Sequence, residues 1–200
     1  MNKDWLSSRS RIALSWLVTV FVLAYVLFVP PSPRFSPLTR DLFGIVGLAL
    51  LALAAFGRIW CLTHVAGRKN KVLTCSGPYS VVRNPLYVFS FLGAVGLGFA
   101  VENPFLSAAL AILFAAYYSL VVRKEECKLA EIFGEEFREY CRRTPRWIPD
   151  LRLYREPETL TVSTRKVRRG ILSATWFIWA FLLWNLLAFA RGAGWWPFGV

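Results

Sequence analysis

Apolar residues run along this chain in long blocks. Ile12 to Pro33 carries no charge and closes on Pro30 and Pro31; Leu42 to Leu62 is interrupted only by Arg58. Leu86 to Val101 is short and glycine-rich, and Glu102, Asn103 and Pro104 part it from the uncharged stretch Phe105 to Val122. A last block, Gly170 to Ala190, holds Trp176, Trp179 and Trp184, with Trp195 and Trp196 beyond it at an interface belt. A bilayer core takes about 20 apolar residues per helix. The pattern therefore predicts an all-α, polytopic integral membrane protein forming one domain over residues 1–200. About five spans are expected, near 12–31, 42–62, 86–101, 104–122 and 170–190, the third and fourth as a tight hairpin. A signal peptide is the alternative for the first block. Leu14 to Val29 lacks a small-residue cleavage site and runs into prolines, so it is kept as a span.

Composition agrees. Hydrophobic residues make up 56% of the 200, the mean hydropathy is +0.45, and 24 Lys and Arg against 12 Asp and Glu give a net charge of +12. A chain both apolar and basic fits a membrane protein facing anionic lipid better than a nucleic-acid binder. In the five-span scheme 21 of the 24 basic residues fall on one side, leaving Arg34, Arg40 and Arg191 on the other. That asymmetry predicts a cytoplasmic N-terminus and an outside C-terminus. The four cysteines, Cys61, Cys75, Cys127 and Cys141, form no CxxC pair and are too few for a disulfide framework, and no metal site is expected.

Chemistry is expected in the two longer cytoplasmic segments, His64 to Pro85 and Arg123 to Arg169. The first is rich in turn formers and basic residues. Asn84 followed by Pro85 reads as an N-cap and first-turn pair, so a helix should begin there with its amides at the interface, a seat for a carboxylate or phosphate. The second opens on Arg123, Lys124, Glu125 and Glu126. Acids at a helix C-terminus and membrane boundary run against both the helix dipole and the bilayer, and so demand a reason. Leu129, Phe133, Phe137 and Tyr140 then recur at helical spacing, predicting a cytoplasmic amphipathic helix lying at the interface or across the site. Arg165, Lys166, Arg168 and Arg169 abut the last span and suit anionic lipid.

Several short motifs now stand in order: Gly77-Pro78-Tyr79, Arg83-Asn84-Pro85-x-Tyr87, Glu125-Glu126, Phe133-Gly134-x-x-Phe137-x-x-Tyr140 and Pro145-Arg146-Trp147-x-Pro149. In order and spacing they resemble the membrane methyltransferase superfamily, which holds isoprenylcysteine carboxyl methyltransferases and phospholipid methyltransferases. The resemblance covers about residues 58–149, the expected catalytic core. It departs at Asn84, where the family usually has His. It implies S-adenosylmethionine as cofactor. Glu125 matches an acidic cofactor contact suited to the donor's ammonium or a ribose hydroxyl, with Glu126 assisting or orienting it. The start of the third span, Arg83 to Tyr87 and including Pro85 and Leu86, matches cofactor-binding positions, its amides and the Asn84 side chain meeting the carboxylate. Tyr79 and Tyr87 match pocket positions whose ring faces suit a sulfonium. Lys71, Val72, Leu73 and Thr74 match a loop covering the cofactor, and His64 a polar contact.

For the acceptor, the resemblance implies a lipid-like or other hydrophobic molecule entering from the bilayer. A carboxylate or thiolate needs no base, whereas a lipid amine must lose a proton; Glu125, Glu126 and His64 are the candidate bases and none is singled out. The position of a substrate-binding arginine in the isoprenylcysteine branch is Val121 here, with Arg123 close by as its substitute. Two other readings stand beside this one: a nicotinamide-dependent reductase sharing the fold, and a non-catalytic membrane protein. The acceptor atom and the oligomeric state are not legible.

Overall fold

The computed structural model of the chain describes residues 35–68 and 71–195. The first expected span, 12–31, lies outside the described residues. Helix α1 spans Pro37–Val65, opened by Ser36, whose hydroxyl accepts from the Thr39 amide at 3.3 Å. A single turn, α2, spans Pro78–Val81; α3 spans Pro85–Ala100 and α4 spans Pro104–Arg143. A 3₁₀ turn at Leu151–Leu153 is followed by α5, Thr164–Ala174, and α6, Trp176–Gly192. Among the described residues there is no strand.

Two of these helices, α1 and α4, are long and apolar enough to cross a membrane; Pro85–Ala100 and Phe181–Gly192 are shorter apolar helices. At 1.5 Å per residue the 16 residues of α3 reach about 24 Å, short of a bilayer core of about 30 Å. The expectation of spanning helices across all the later blocks is thus met by two.

Helix α3 lies along α1 at a crossing built from small residues. A side chain on Gly47 would meet the Ala100 backbone at 2.4 Å, and one on Gly96 the Leu50 side chain at 2.8 Å. Close backbone approach of this kind is how helices bind each other in lipid, where apolar burial supplies no drive. Chain reversal into α4 is as tight as Glu102-Asn103-Pro104 predicts. Glu102 takes φ 57°, and the Asn103 side chain caps α4 by accepting from the Leu106 amide at 2.9 Å. Leu51 of α1, Leu97 of α3, Leu106 and Leu110 of α4 and Trp184 of α6 close into one buried cluster.

Beyond the apolar blocks the helix boundaries differ from the reading in two places. The expected amphipathic helix does not start afresh after the fourth block: α4 continues without a break from Pro104 past Arg123 and Glu126 as far as Phe133. Lys, Glu, Leu and Ala between Arg123 and Phe133 are good helix formers, and nothing there stops the ladder. The direction changes at Gly134 instead (φ 54°, ψ −122°), a conformation glycine adopts without a Cβ penalty. Over the expected last span, 170–190, the chain forms two helices, α5 and α6, that meet at Thr175, whose hydroxyl bonds back to the Leu172 carbonyl at 3.3 Å.

After α4 the chain doubles back as a strap, residues 144–163, stitched to residues 77–83. The Arg83 amide donates to the Pro145 carbonyl at 2.8 Å, Asp150 to Val81 at 2.9 Å and Gly77 to Arg155 at 2.7 Å. The Arg155 amide donates to the Ser80 hydroxyl at 3.0 Å. These bonds fasten the two polar segments into one body beside the ends of the apolar helices.

Candidate functional site

Where the start of α3, the loop after α1 and the second half of α4 meet, they enclose a cavity of about 820 Å³. Most of the positions singled out in the sequence line it. Val72, Leu73 and Thr74 come from the loop and Tyr79 from α2; Arg83, Asn84, Leu86 and Tyr87 bracket the start of α3. Helix α4 supplies Val121, Arg123, Glu125 and Glu126, and its apolar stripe, Leu129, Phe133, Phe137 and Tyr140, faces the same space. At the end of the stripe the Tyr140 hydroxyl donates to the Tyr79 carbonyl at 2.7 Å, tying this part of α4 to α2.

Two neighbouring acids on α4 have different surroundings, since successive helical residues point about 100° apart. Glu125 accepts from the Tyr87 hydroxyl at 2.9 Å. The Tyr87 ring is held in turn by Tyr118, centroid to centroid 5.0 Å. Glu126 is buried and accepts from Arg146 Nε at 3.2 Å and from Arg146 Nη2, with Asn84 Nδ2 at 3.1 Å and Arg83 Nη1 at 3.6 Å. A buried carboxylate is tolerable only with such charged and hydrogen-bonding company. The same contact holds the Arg146 guanidinium charged beyond its ordinary range.

Asn84 begins α3, as expected, yet its side chain makes no cap hydrogen bond. The amide donates to Glu126 and, at 3.4 Å, to the Arg146 carbonyl. Both its N–H groups are therefore spent inside the protein, and its remaining oxygen is an acceptor. Arg83 beside it lines the cavity with its Nε buried and making no hydrogen bond.

Three expected cofactor residues stand outside the lining. Pro85 is buried within the first turn of α3, and Lys71 is exposed on the loop. His64, at 1% exposure, is turned the other way. Its Nδ1 meets the Trp60 carbonyl at 2.9 Å and its Nε2 meets Glu156 at 3.1 Å, while its ring fills the space that a side chain on Gly77 would need. Glu156 also accepts from the Tyr154 hydroxyl, and the two donors hold its carboxyl below the ordinary range.

Sequence reasoning missed Arg146 and Glu156 as participants. Arg146 stood in a quoted motif, and the adjacent acids at a helix end, already noted as demanding a reason, were the signal that a cation from elsewhere in the chain meets them. Glu156 left none: nothing local ties it to a histidine 92 residues away. Among the described residues no three His, Cys, Asp or Glu side chains gather as a metal-binding group.

The phospholipid methyltransferase family matches residues 42–136. The cobalt-zinc-cadmium resistance protein CzcN of Cupriavidus metallidurans is 43% identical over 174 residues, covering 86% of this chain and 78% of that protein. The nickel-cobalt-cadmium resistance protein NccN of Alcaligenes xylosoxydans xylosoxydans is 37% identical over 194 residues, 97% of this chain and 90% of that one. A protein-S-isoprenylcysteine O-methyltransferase of Schizosaccharomyces pombe is 30% identical over 87 residues, 42% of this chain and 37% of the enzyme. No solved structure matches significantly. By its motifs, its helical site and these relatives, the chain belongs to the membrane methyltransferase superfamily.

Proposed function

We propose that this chain is an S-adenosylmethionine-dependent methyltransferase that acts at the cytoplasmic membrane surface on a lipid-like or other hydrophobic acceptor. The observation that carries the reading is the division of the acid pair: Glu126 is consumed in a buried network, while Glu125 meets the cavity beside two tyrosines.

The cavity suits the donor in size and chemistry. Its volume of about 820 Å³ lies within the range of small-molecule sites and leaves room for part of an acceptor. Glu125 is the acid for the ammonium or ribose, and the faces of Tyr79 and Tyr87 suit the sulfonium. Arg83, whose Nε is buried without a hydrogen bond, is assigned to the carboxylate in place of the spent Asn84 amide. Val72, Leu73 and Thr74 cover the donor from the loop. His64 serves the strap through Glu156 in this reading, and Lys71 contributes its backbone from the exposed loop.

When bound, S-adenosylmethionine supplies an electrophilic methyl group on a sulfonium. The chain's part is to align the reactants and keep water out, the two largest levers for a displacement at carbon. The apolar wall of Leu129, Phe133 and Phe137 accommodates a hydrophobic acceptor, and Arg123 is the residue assigned to a polar headgroup at its end. The cytoplasmic placement of the site, with the N-terminus inside and the C-terminus outside, is the part of this reading that rests on the five-span scheme, in which 21 of the 24 basic residues fall on one side. The exposed Arg165, Lys166, Arg168 and Arg169 of α5 face anionic lipid.

Incubating the purified protein with donor labelled in its methyl group and total membrane lipid tests this. Label should pass into the solvent-extractable fraction; its absence, with labelled donor left intact, would contradict the acceptor class.

A further inference from the structure

We infer that Arg146 is a positioning residue: by occupying Glu126 it keeps the Arg83 guanidinium available to an anion in the cavity. The inference rests on the reading above, in which Arg83 receives the donor's carboxylate.

Two guanidinium groups and one carboxylate meet at the start of α3. Arg146 takes both oxygens of Glu126, through Nε at 3.2 Å and through Nη2, in the paired geometry that suits an arginine and a carboxylate. Arg83 reaches Glu126 only at 3.6 Å, and its Nε is buried with no hydrogen bond, although it sits in the cavity wall. Arg146 thus takes the two close contacts to Glu126, and Arg83, held to it only by the longer one, keeps hydrogen-bonding capacity at the cavity wall.

Arg146 is placed for this by the strap and not by α4. Its carbonyl accepts from Asn84 at 3.4 Å, and the preceding Pro145 carbonyl accepts from the Arg83 amide at 2.8 Å. The strap thus holds Arg83 and Asn84 by their backbone and side chain while its own guanidinium holds Glu126. Without Arg146, Glu126 is left with Arg83 as its nearest cation, and Arg83 turns to it and away from the cavity. A buried carboxylate that loses one partner takes the next.

A double-mutant cycle read by donor titration tests this. Arg146→Ala should weaken S-adenosylmethionine binding about tenfold. Adding Glu126→Gln removes the competitor for Arg83 and should restore affinity to within about threefold of the parent, although the double variant carries one more lesion. A merely structural Arg146 predicts the opposite, a double variant that binds no better than Arg146→Ala, and that result overturns the inference. Arg146→Lys, which keeps the charge and loses the paired geometry, should fall between. If the unaltered protein binds no donor, the functional reading fails on its own. The inference is then judged by the same cycle with sulfate as the anion, read as a rise in melting temperature, where Arg146→Ala must lose the rise and the double variant regain it.

Discussion

The Tyr87 hydroxyl donates to Glu125 at 2.9 Å, across from α3 to α4. One residue further on, Glu126 turns into the wall and is met by Arg146, Asn84 and Arg83. Adjacent acids at a membrane boundary are costly singly and worse together. Here each has a separate reason: one ties three segments together, and the other is left at the surface of a cavity.

Substituting each acid by its amide should therefore separate two properties. Glu125→Gln should weaken donor binding by about 1.5 to 3 kcal/mol, a tenfold to hundredfold loss, with little change in melting temperature. Glu126→Gln should lower stability by about 2 to 3 kcal/mol, because it leaves two arginines facing an uncharged amide. Titration and thermal melting of both variants check this, and the same defect in both would mean the acids act as one unit.

Gly77 provides a test of the strap's seat. It holds φ 58°, and a side chain there would lie 2.1 Å from His64 Nε2. Gly77→Ala should cost the strain of a left-handed residue and force the ring off Glu156, together about 2 to 4 kcal/mol. Faster proteolysis within residues 144–163, at unchanged cleavage elsewhere, is the expected signature.

Glu156 gives the strap an acid sensitivity. Its carboxyl lies below the ordinary range because Tyr154 and then His64 donate to it. A group whose folded pKa is depressed contributes stability above its unfolded value, near 4.3 for a glutamate, and loses it as pH falls through the folded value. Strap protection from hydrogen exchange should therefore hold from neutral pH to about 5 and decline below about 4. Glu156→Gln should remove the decline.

How much of this the sequence discloses depends on how local each cause is. The hairpin of α3 and α4 is legible because Glu102, Asn103 and Pro104 interrupt two uncharged runs, and the cavity stripe because Leu129, Phe133, Phe137 and Tyr140 repeat at helical spacing. The continuation of α4 from the apolar block through Arg123 to Phe133 is not. Charge begins at Arg123 and reads as the end of a span, yet a helix ends where its backbone ladder ends, and that is independent of where the lipid stops. Nor is the role of Asn84 legible: beside a proline it reads as a cap whose oxygen accepts from the first-turn amides, but its NH2 group instead donates to Glu126 and to the Arg146 carbonyl, 42 and 62 residues on, and the side chain makes no cap bond.

Calorimetric titration of the detergent-purified chain with S-adenosylmethionine, its demethylated product and NADPH tests the central claim most directly. Saturable binding of the first two, weakened at least tenfold by Glu125→Gln, with no heat from NADPH, is the expected result. Binding of NADPH alone would identify a reductase, and silence with all three would leave a membrane protein without turnover; either outcome contradicts the account.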